Sequence, residues 1–294
     1  MDEELLYCIE LKDGSGDFEP ASELLNALEL EFSSFFDREN GVVRHTVYAV
    51  TEAGARENRA KLLAALPGWR EIGVPLTMGD IFTVAKAEWA EAWKKYFKPV
   101  PVSEKLLILP SWLDAAPLPG QQVLRIDPGM SFGTGQHATT AYCLKCIDRF
   151  AGTGRSLLDA GCGSGILAIA GALLGYAPVD AFDFDPEAVS AARENAALNA
   201  VADRISLQVG NAADWQGRHE KYDVVCANIL GHLLISFRFN IVRWVAPGGV
   251  LVLAGILDRD FDRVSAAYAE VGMVEAERFR DGDWTGGMFR HGGR

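Results

Sequence analysis

The 294-residue sequence has few cysteines and a deficit of positive charge, and both shortages restrict what the protein can be. Five cysteines, an odd number in a long chain, do not fit a disulfide framework and predict a reducing, cytoplasmic environment. The 28 Lys and Arg residues against 40 Asp and Glu residues give a net charge of −12. That balance disfavours binding along a nucleic-acid backbone and suits a basic partner better.

We expect neither a secretory signal nor a membrane-spanning segment from two parts of the sequence. Residues 1–4 are acidic and lead into no apolar core, so we expect no secretory signal. Residues 160–179 carry no charge over a length that would span a bilayer, but they contain several glycines and Pro178. This composition favours a helix buried against a parallel sheet, and we expect no membrane partner.

The chain length predicts two domains, and the first is predicted to be a small α+β domain over residues 1–74. The order of its elements, βαββαβ, is typical of a ferredoxin-like fold, with a different small α+β domain as the alternative. The strands are predicted at residues 5–11, 32–37, 42–50 and 69–74, and the helices at residues 20–30 and 52–66, the second ending before Pro67-Gly68.

Residues 75–104 are predicted to connect the two domains, with a short helix at residues 88–96. Lys94, Lys95 and Lys98 lie among aromatic residues in this connector. They are a candidate docking surface for a partner, and the alternative is a helix that packs between the domains with a solvated basic face.

From residue 105 onward strand and helix signals alternate, which predicts an α/β domain with a mostly parallel sheet covered on both faces. A long helix is expected at residues 139–150, and an antiparallel hairpin joined at Asp281-Gly282 is expected near the end. The strands are predicted at residues 106–109, 123–126, 157–158, 179–182, 205–209, 224–227, 250–254, 273–280 and 284–289.

A glycine-rich turn, residues 161–165, follows the strand at residues 157–158. Its glycines allow a sharp turn and the close approach of a ligand to the backbone. Asp183 stands at the end of the next strand, 22 residues after Gly161, where a carboxylate can accept both hydroxyls of a ribose. The spacing G-x-G-x-G, rather than G-x-G-x-x-G, favours S-adenosylmethionine over a dinucleotide.

Two other polar residues are predicted at the same carboxyl edge of the sheet. Asp159 precedes the glycine turn and is expected to anchor the amino-acid portion of the ligand, with capping of the turn as the alternative. Asn228 follows a third strand and reaches the edge at which open α/β sheets bind ligands.

Several motifs, in the right order, resemble the ribosomal protein L11 methyltransferase family over about residues 75–290. The run DPGMSFGTGQHATT at residues 127–140 is similar to a signature of that family. The other similar runs are ILPSW at residues 108–112, LDAGCGSGILAIA at 158–170, DFDP at 183–186, ANIL at 227–230 and PGGVLVLAGIL at 247–257.

The resemblance implies a Rossmann-like, seven-stranded class I methyltransferase domain over residues 105–294. It implies transfer of methyl groups from S-adenosylmethionine to amino groups of ribosomal protein L11, free or on the large ribosomal subunit, with residues 1–74 recognising this substrate. The resemblance implies that Thr140, Gly161, Asp183 and Asn228 contact the cofactor. To these we add Gly163, Asp159, Phe132 and Gly133, which lie in or beside the two glycine-rich segments.

Methyl transfer to an amine is a direct displacement that requires alignment and a neutral amine rather than a strong base. Asn228 is expected to orient the acceptor amine through its carbonyl. His137 is expected to accept a proton, with a structural role in holding its loop as the alternative, and His232 is a weaker candidate. Phe132 is expected to flank the adenine or the target side chain, or else to pack within its loop.

Some residues depart from the family pattern or invite another interpretation. Ala138 replaces the usual proline, and Gly231-His232 replaces the more common Ala-Gly, both beside the expected acceptor site. These changes bear on the substrate more than on the cofactor. Cys143 and Cys146 have a metal-like spacing, but without a second pair we expect no metal and predict burial within a helix.

Three alternatives remain open from the sequence. A methyltransferase of the same fold could act on the lysines of another protein or on a small molecule. A non-catalytic or dinucleotide-binding α/β module would share the glycine turn. Action on nucleic acid is disfavoured by the acidic balance and by the lack of an Asn-Pro-Pro-aromatic motif.

Overall fold

The computed structural model describes residues 5–14, 19–37, 41–85, 99–127, 137–152 and 155–292. The chain divides into two compact units, residues 1–97 and residues 98–294. Within the described ranges, no helix has the length and apolar character needed to cross a membrane. The connector helix predicted at residues 88–96, with its lysines, lies outside them.

The described residues of the first unit form a four-stranded antiparallel sheet with two helices. Its elements are β1 (Leu5–Asp13), α1 (Glu19–Ala27), β2 (Phe32–Asp37), β3 (Val42–Ala49), α2 (Glu52–Glu71) and β4 (Leu76–Ala85). The strands lie in the order β2-β3-β1-β4, and apolar residues of the sheet such as Ile9 and Val47 pack with Leu25 of α1 and Leu62 of α2. The predicted ferredoxin-like arrangement is therefore confirmed.

The strand predicted at residues 69–74 is wrong, because α2 continues through Pro67 to Glu71. Trp69 is only 7% exposed and joins the core of the unit, so its burial outweighs the helix-breaking tendency of Pro67. The helix stops at Gly73, whose φ of +88° is left-handed and whose amide donates to the carbonyl of Arg70. The last strand is β4, so ten residues of the predicted connector belong to this sheet.

The second unit contains the other strands and α-helices that the structure describes. Its first elements are β5 (Val100–Pro101), β6 (Leu106–Leu109), β7 (Gln122–Arg125), α3 (Ala138–Arg149), β8 (Leu157–Ala160), α4 (Ile166–Leu173), β9 (Val179–Asp183), α5 (Pro186–Leu198) and β10 (Ile205–Val209). Then follow β11 (Tyr222–Asn228), α6 (Gly231–Ser236), α7 (Arg238–Arg243), β12 (Val245–Leu257), α8 (Asp258–Glu270), β13 (Met273–Asp281) and β14 (Trp284–His291).

The central sheet of the second unit has seven strands in the order β10-β9-β8-β11-β12-β14-β13. The first five are parallel, and β14 lies antiparallel between β12 and β13. The parallel sheet and the terminal hairpin are therefore confirmed. The strands β6 and β7 instead form a separate small sheet with β5, which strand signals alone do not distinguish.

Helices cover both faces of the central sheet. The side chains of neighbouring residues along β11 alternate between two cores, with Val224 and Cys226 in the core that includes α3, α4 and α5, and Val225 and Ala227 in the core that includes α6, α7 and α8. Helix α4 is almost entirely buried, as predicted for the uncharged segment, and the Cys143 and Cys146 side chains are buried in the first core. The strand order reverses between β8 and β11, which opens a crevice at their carboxyl ends.

Candidate functional site

The glycine-rich turn after β8 has a backbone that requires glycine. Gly161, Gly163 and Gly165 have φ values of +78°, +51° and +78°, in the left-handed region that L side chains rarely adopt. A Cβ on Gly161 would lie 2.4 Å from Cγ2 of Ile229, and one on Gly165 would lie 2.9 Å from Cβ of Ala192. The turn therefore packs closely against the end of β11 and against α5.

The carboxylate of Asp183 ties the end of β9 to this turn. It accepts hydrogen bonds from the amide of Gly163 at 2.8 Å and from the amide of Asp185 at 3.1 Å. The residue is 7% exposed, and its carbonyl accepts from the amide of Gly210 after β10. Because an ionised carboxylate has about four acceptor positions, the two amides leave acceptor capacity for hydroxyl groups.

Asp159, near the end of β8, caps the helix that follows the glycine turn. Its Oδ2 accepts from the amide of Ala168 at 3.1 Å, in the first turn of α4, whose N-cap Gly165 has no side chain to do so. Burial raises the pKa of Asp159 to about 7, and the negative charge of Asp183 adds to that rise. Its Oδ1 has no hydrogen-bond partner among the residues that the structure describes.

Asn228 and Thr140 meet where β11 ends and α3 begins. The Nδ2 atom of Asn228 donates to Oγ1 of Thr140 at 3.4 Å, and Thr140 is buried. Within the described part of the chain, the buried Oδ1 of Asn228 accepts no hydrogen bond. A buried amide carbonyl without a partner is an acceptor that an N–H group of a ligand can use.

His137 forms the N-cap of α3. Its Nδ1 lies 2.7 Å from Oγ1 of Thr139 and 3.4 Å from the amide of Thr139, and its ring packs edge-on against Trp284. Burial lowers the pKa of His137, partly opposed by the charge of Asp281, so the neutral imidazole is favoured. This geometry favours the loop-holding alternative, and a role in proton transfer stays a prediction.

The residues predicted from the sequence therefore form two pairs at one edge of the sheet. Gly163 bonds to Asp183, Asn228 bonds to Thr140, and Gly161 packs beside the residue after Asn228. Phe132 and Gly133 lie outside the described residues. The predicted candidate His232 is in α6 and is exposed.

Two residues at this edge were not identified from the sequence. Phe184, directly after Asp183, is 72% exposed and offers an aromatic face beside the carboxyl ends of the strands. Asn211 follows β10, and its Oδ1 accepts from the amide of Ala213. Both follow predicted strands closely, so a search of all strand ends would have found them.

A seven-stranded sheet of this order, with its glycine turn after the first central strand and an acidic residue after the second, defines a class I S-adenosylmethionine-dependent methyltransferase fold. A solved ribosomal protein L11 methylase from Lactobacillus delbrueckii subsp. bulgaricus has a similar structure, with a TM-score of 0.62 and 33% sequence identity. The match covers 67% of this chain and 100% of that one.

The sequence profile of the family described as ribosomal protein L11 methyltransferase (PrmA) matches residues 35–291. A relative of that name from Chloroflexus aurantiacus is 36% identical over 81% of this chain and 79% of its own length. Another from Pelotomaculum thermopropionicum is 38% identical over 79% of this chain and 74% of its own. The chain belongs to the ribosomal protein L11 methyltransferase family.

Proposed function

We propose that this protein is an S-adenosylmethionine-dependent N-methyltransferase that methylates amino groups of ribosomal protein L11. The observation that carries the proposal is the edge of the sheet at which Asp183, the glycine turn and Asn228 lie together in a member of this family, with Oδ1 of Asn228 accepting from none of the described residues. The acceptors are proposed to be lysine ε-amines, the N-terminal α-amine, or both.

The cofactor site is proposed along the carboxyl ends of β8, β9 and β11. The free acceptor positions of Asp183 suit the ribose hydroxyls, and the turn at Gly161 and Gly163 allows the cofactor to approach the backbone. The Oδ1 of Asp159, which has no partner within the described ranges, suits the cofactor's ammonium group, because a nearby cation favours the ionised carboxylate. Thr140, Asn228, Phe132 and Gly133 complete the proposed set.

The reaction that we propose needs little from the protein beyond binding and alignment. When bound, S-adenosylmethionine supplies a methyl group activated by a sulfonium for direct displacement by an amine. Asn228 accepts an N–H of the amine at Oδ1, while the contact of its Nδ2 with Thr140 fixes the orientation of the amide. This alignment supplies most of the catalysis, since near-attack geometry removes much of the entropic barrier.

His137 is proposed to hold the start of α3 and, as a neutral imidazole, to accept a proton from the incoming amine. The lowered pKa keeps His137 in the form that accepts a proton near pH 7. The Oγ1 atom of Thr139, 2.7 Å from Nδ1, can accept the N–H of the charged ring. Protonation at Nδ1 ends its acceptance from the amide of Thr139, so the cap and the proton transfer belong to different protonation states of the ring.

The first domain is proposed to recognise the substrate. Residues 1–97 hold 18 Asp and Glu residues against 10 Lys and Arg residues, a balance of −8 out of the total of −12. A ribosomal protein that binds RNA carries clustered basic residues, which an acidic domain attracts. We propose that the encounter occurs in the cytoplasm, with ribosomal protein L11 free or on the large ribosomal subunit.

The test is incubation of purified ribosomal protein L11 with the protein and S-adenosylmethionine, followed by mass spectrometry of its peptides. We expect methyl groups on lysine side chains or on the N-terminal residue. The variant Asn228→Ala should slow the transfer on the order of a hundredfold, because the amine loses its alignment. Methyl groups only on another protein or a small molecule would contradict the substrate, and no transfer to any acceptor would contradict the reaction.

A further inference from the structure

We propose that Gly255 is a positioning residue for Asn228, because the missing side chain at position 255 leaves the space in which Oδ1 of Asn228 lies. The inference rests on the proposed function, in which that oxygen orients the acceptor amine. Gly255 itself is not expected to touch the cofactor or the substrate.

Gly255 occupies an irregular point of β12 beside the end of β11. The last residue pair between these strands is Asn228 with Ala254, so Gly255 is the next residue along. The register between β12 and β14 shifts between Leu253 and Ile256, and the φ of Gly255 is +77°. The left-handed backbone at this irregularity brings Gly255 against the segment that follows β11.

A side chain at position 255 would collide with that segment. A Cβ there would lie 2.8 Å from the carbonyl oxygen of Ile229 and 3.0 Å from Oδ1 of Asn228. The Ile229 oxygen belongs to the backbone and has little freedom to move. The Asn228 side chain can rotate about its own bonds, so we expect the contact at Oδ1 to be relieved by rotation of the amide. Both distances are shorter than ordinary van der Waals contacts.

The segment has no room to retreat on its other side. A Cβ on Gly161 would lie 2.4 Å from Cγ2 of Ile229, so Ile229 is held between two glycines with left-handed φ values. One of them belongs to the turn proposed to receive the cofactor. A side chain introduced at position 255 is therefore expected to turn the side-chain amide of Asn228 away from Thr140, rather than to shift the whole segment that follows β11.

Gly248 provides a matched control in the same strand. Its φ is +78°, so alanine there meets the same backbone strain as at position 255. A Cβ on Gly248 would meet nothing within 4 Å. The variants Gly255→Ala and Gly248→Ala therefore share the cost of the left-handed backbone and differ in the contacts with Asn228 and with the backbone of Ile229.

The first readout needs neither cofactor nor substrate. In protein labelled with ¹⁵N at asparagine, the side-chain amide signal of Asn228 is assigned by its loss in Asn228→Ala. We expect Gly255→Ala to move this signal and Gly248→Ala to leave it in place. An unmoved signal in Gly255→Ala would overturn the proposal, and it would do so whether or not the protein methylates ribosomal protein L11.

The second readout is kcat for methyl transfer. A displaced Asn228 should lower kcat on the order of a hundredfold in Gly255→Ala, whereas Gly248→Ala should stay within about twofold of the wild type. In the background of Asn228→Ala, the change Gly255→Ala should lower kcat far less than it does in the wild type, since no amide remains to be displaced and only the contact with the Ile229 backbone is left. Equal losses in all backgrounds would contradict the proposal.

Folding is followed in the same set of variants. If Gly255→Ala does not fold while the double variant with Asn228→Ala does, the contact with the Asn228 side chain is supported. If neither folds, Gly255 serves the backbone at Ile229 alone, and the positioning role is wrong.

Discussion

Charging the carboxylate of Asp159 costs free energy because the residue is 1% exposed, although the hydrogen bond from the amide of Ala168 favours the charged form. Burial raises its pKa to about 7, from an ordinary value of 3.8. Between about pH 4 and pH 7 the folded protein therefore holds a proton that the unfolded chain has released. The free energy of unfolding falls as the pH rises through that window.

We predict that Asp159→Asn stabilises the protein at pH 8 by roughly 1–4 kcal/mol, since the amide oxygen still accepts from Ala168 and no buried charge forms. The gain should shrink toward zero as the pH falls to about 4. Urea unfolding of both proteins across this pH range measures it. A gain that does not change with pH would contradict the raised pKa of Asp159.

Residues at strand ends were easier to predict than residues in loops. Asp183 and Asn228 follow apolar strands, and parallel strands bring their carboxyl ends to one edge, so the sequence alone indicated their meeting. The helix cap made by His137 depends on the local path of the chain before α3, which no spacing rule specifies. The crowding of Gly255 against Asn228 depends on a register shift between strands, which leaves no mark in a single sequence.

At the scale of elements, α2 is the case in which a local signal failed. Pro67-Gly68 is typical of a helix end, but the helix continues because Trp69, directly after this pair, reaches the core of the first unit. Tertiary burial of one large side chain therefore decided where the helix ends and where the last strand begins. The alternation of strands and helices after residue 155 was predictable because apolar strands recur between glycine-rich and polar turns.

We predict that Trp69→Ala lowers the free energy of unfolding of the first unit by about 3–5 kcal/mol, because a large cavity replaces the indole. The neighbouring variant Ile72→Ala is the control, since Ile72 is 66% exposed and should change stability by no more than about 0.5 kcal/mol. Scanning calorimetry of the full chain measures both. Equal effects of the two variants would contradict the burial of Trp69.

At the scale of the whole molecule, the two units divide the proposed work. The second unit holds every described residue of the proposed cofactor and acceptor sites, and it matches the family over its motifs. The first unit carries most of the net negative charge and a fold without catalytic motifs. Its topology followed from the order of its elements, whereas its proposed role in substrate recognition rests on its charge and on the family.

The central claim is that the carboxyl edge of the seven-stranded sheet binds S-adenosylmethionine through Asp183. Calorimetric titration of the full chain with this cofactor tests it most directly, with Asp183→Asn and Asp185→Asn as a pair. Asp185 caps α5 through the amide of Glu187, and asparagine is an equally good cap, so the second variant changes a nearby charge without removing the proposed contact.

We predict that the wild type and Asp185→Asn bind alike, and that Asp183→Asn binds about tenfold to a hundredfold more weakly because charge-assisted hydrogen bonds are lost. Absence of binding by the wild type, or equal affinity in Asp183→Asn, would contradict the account.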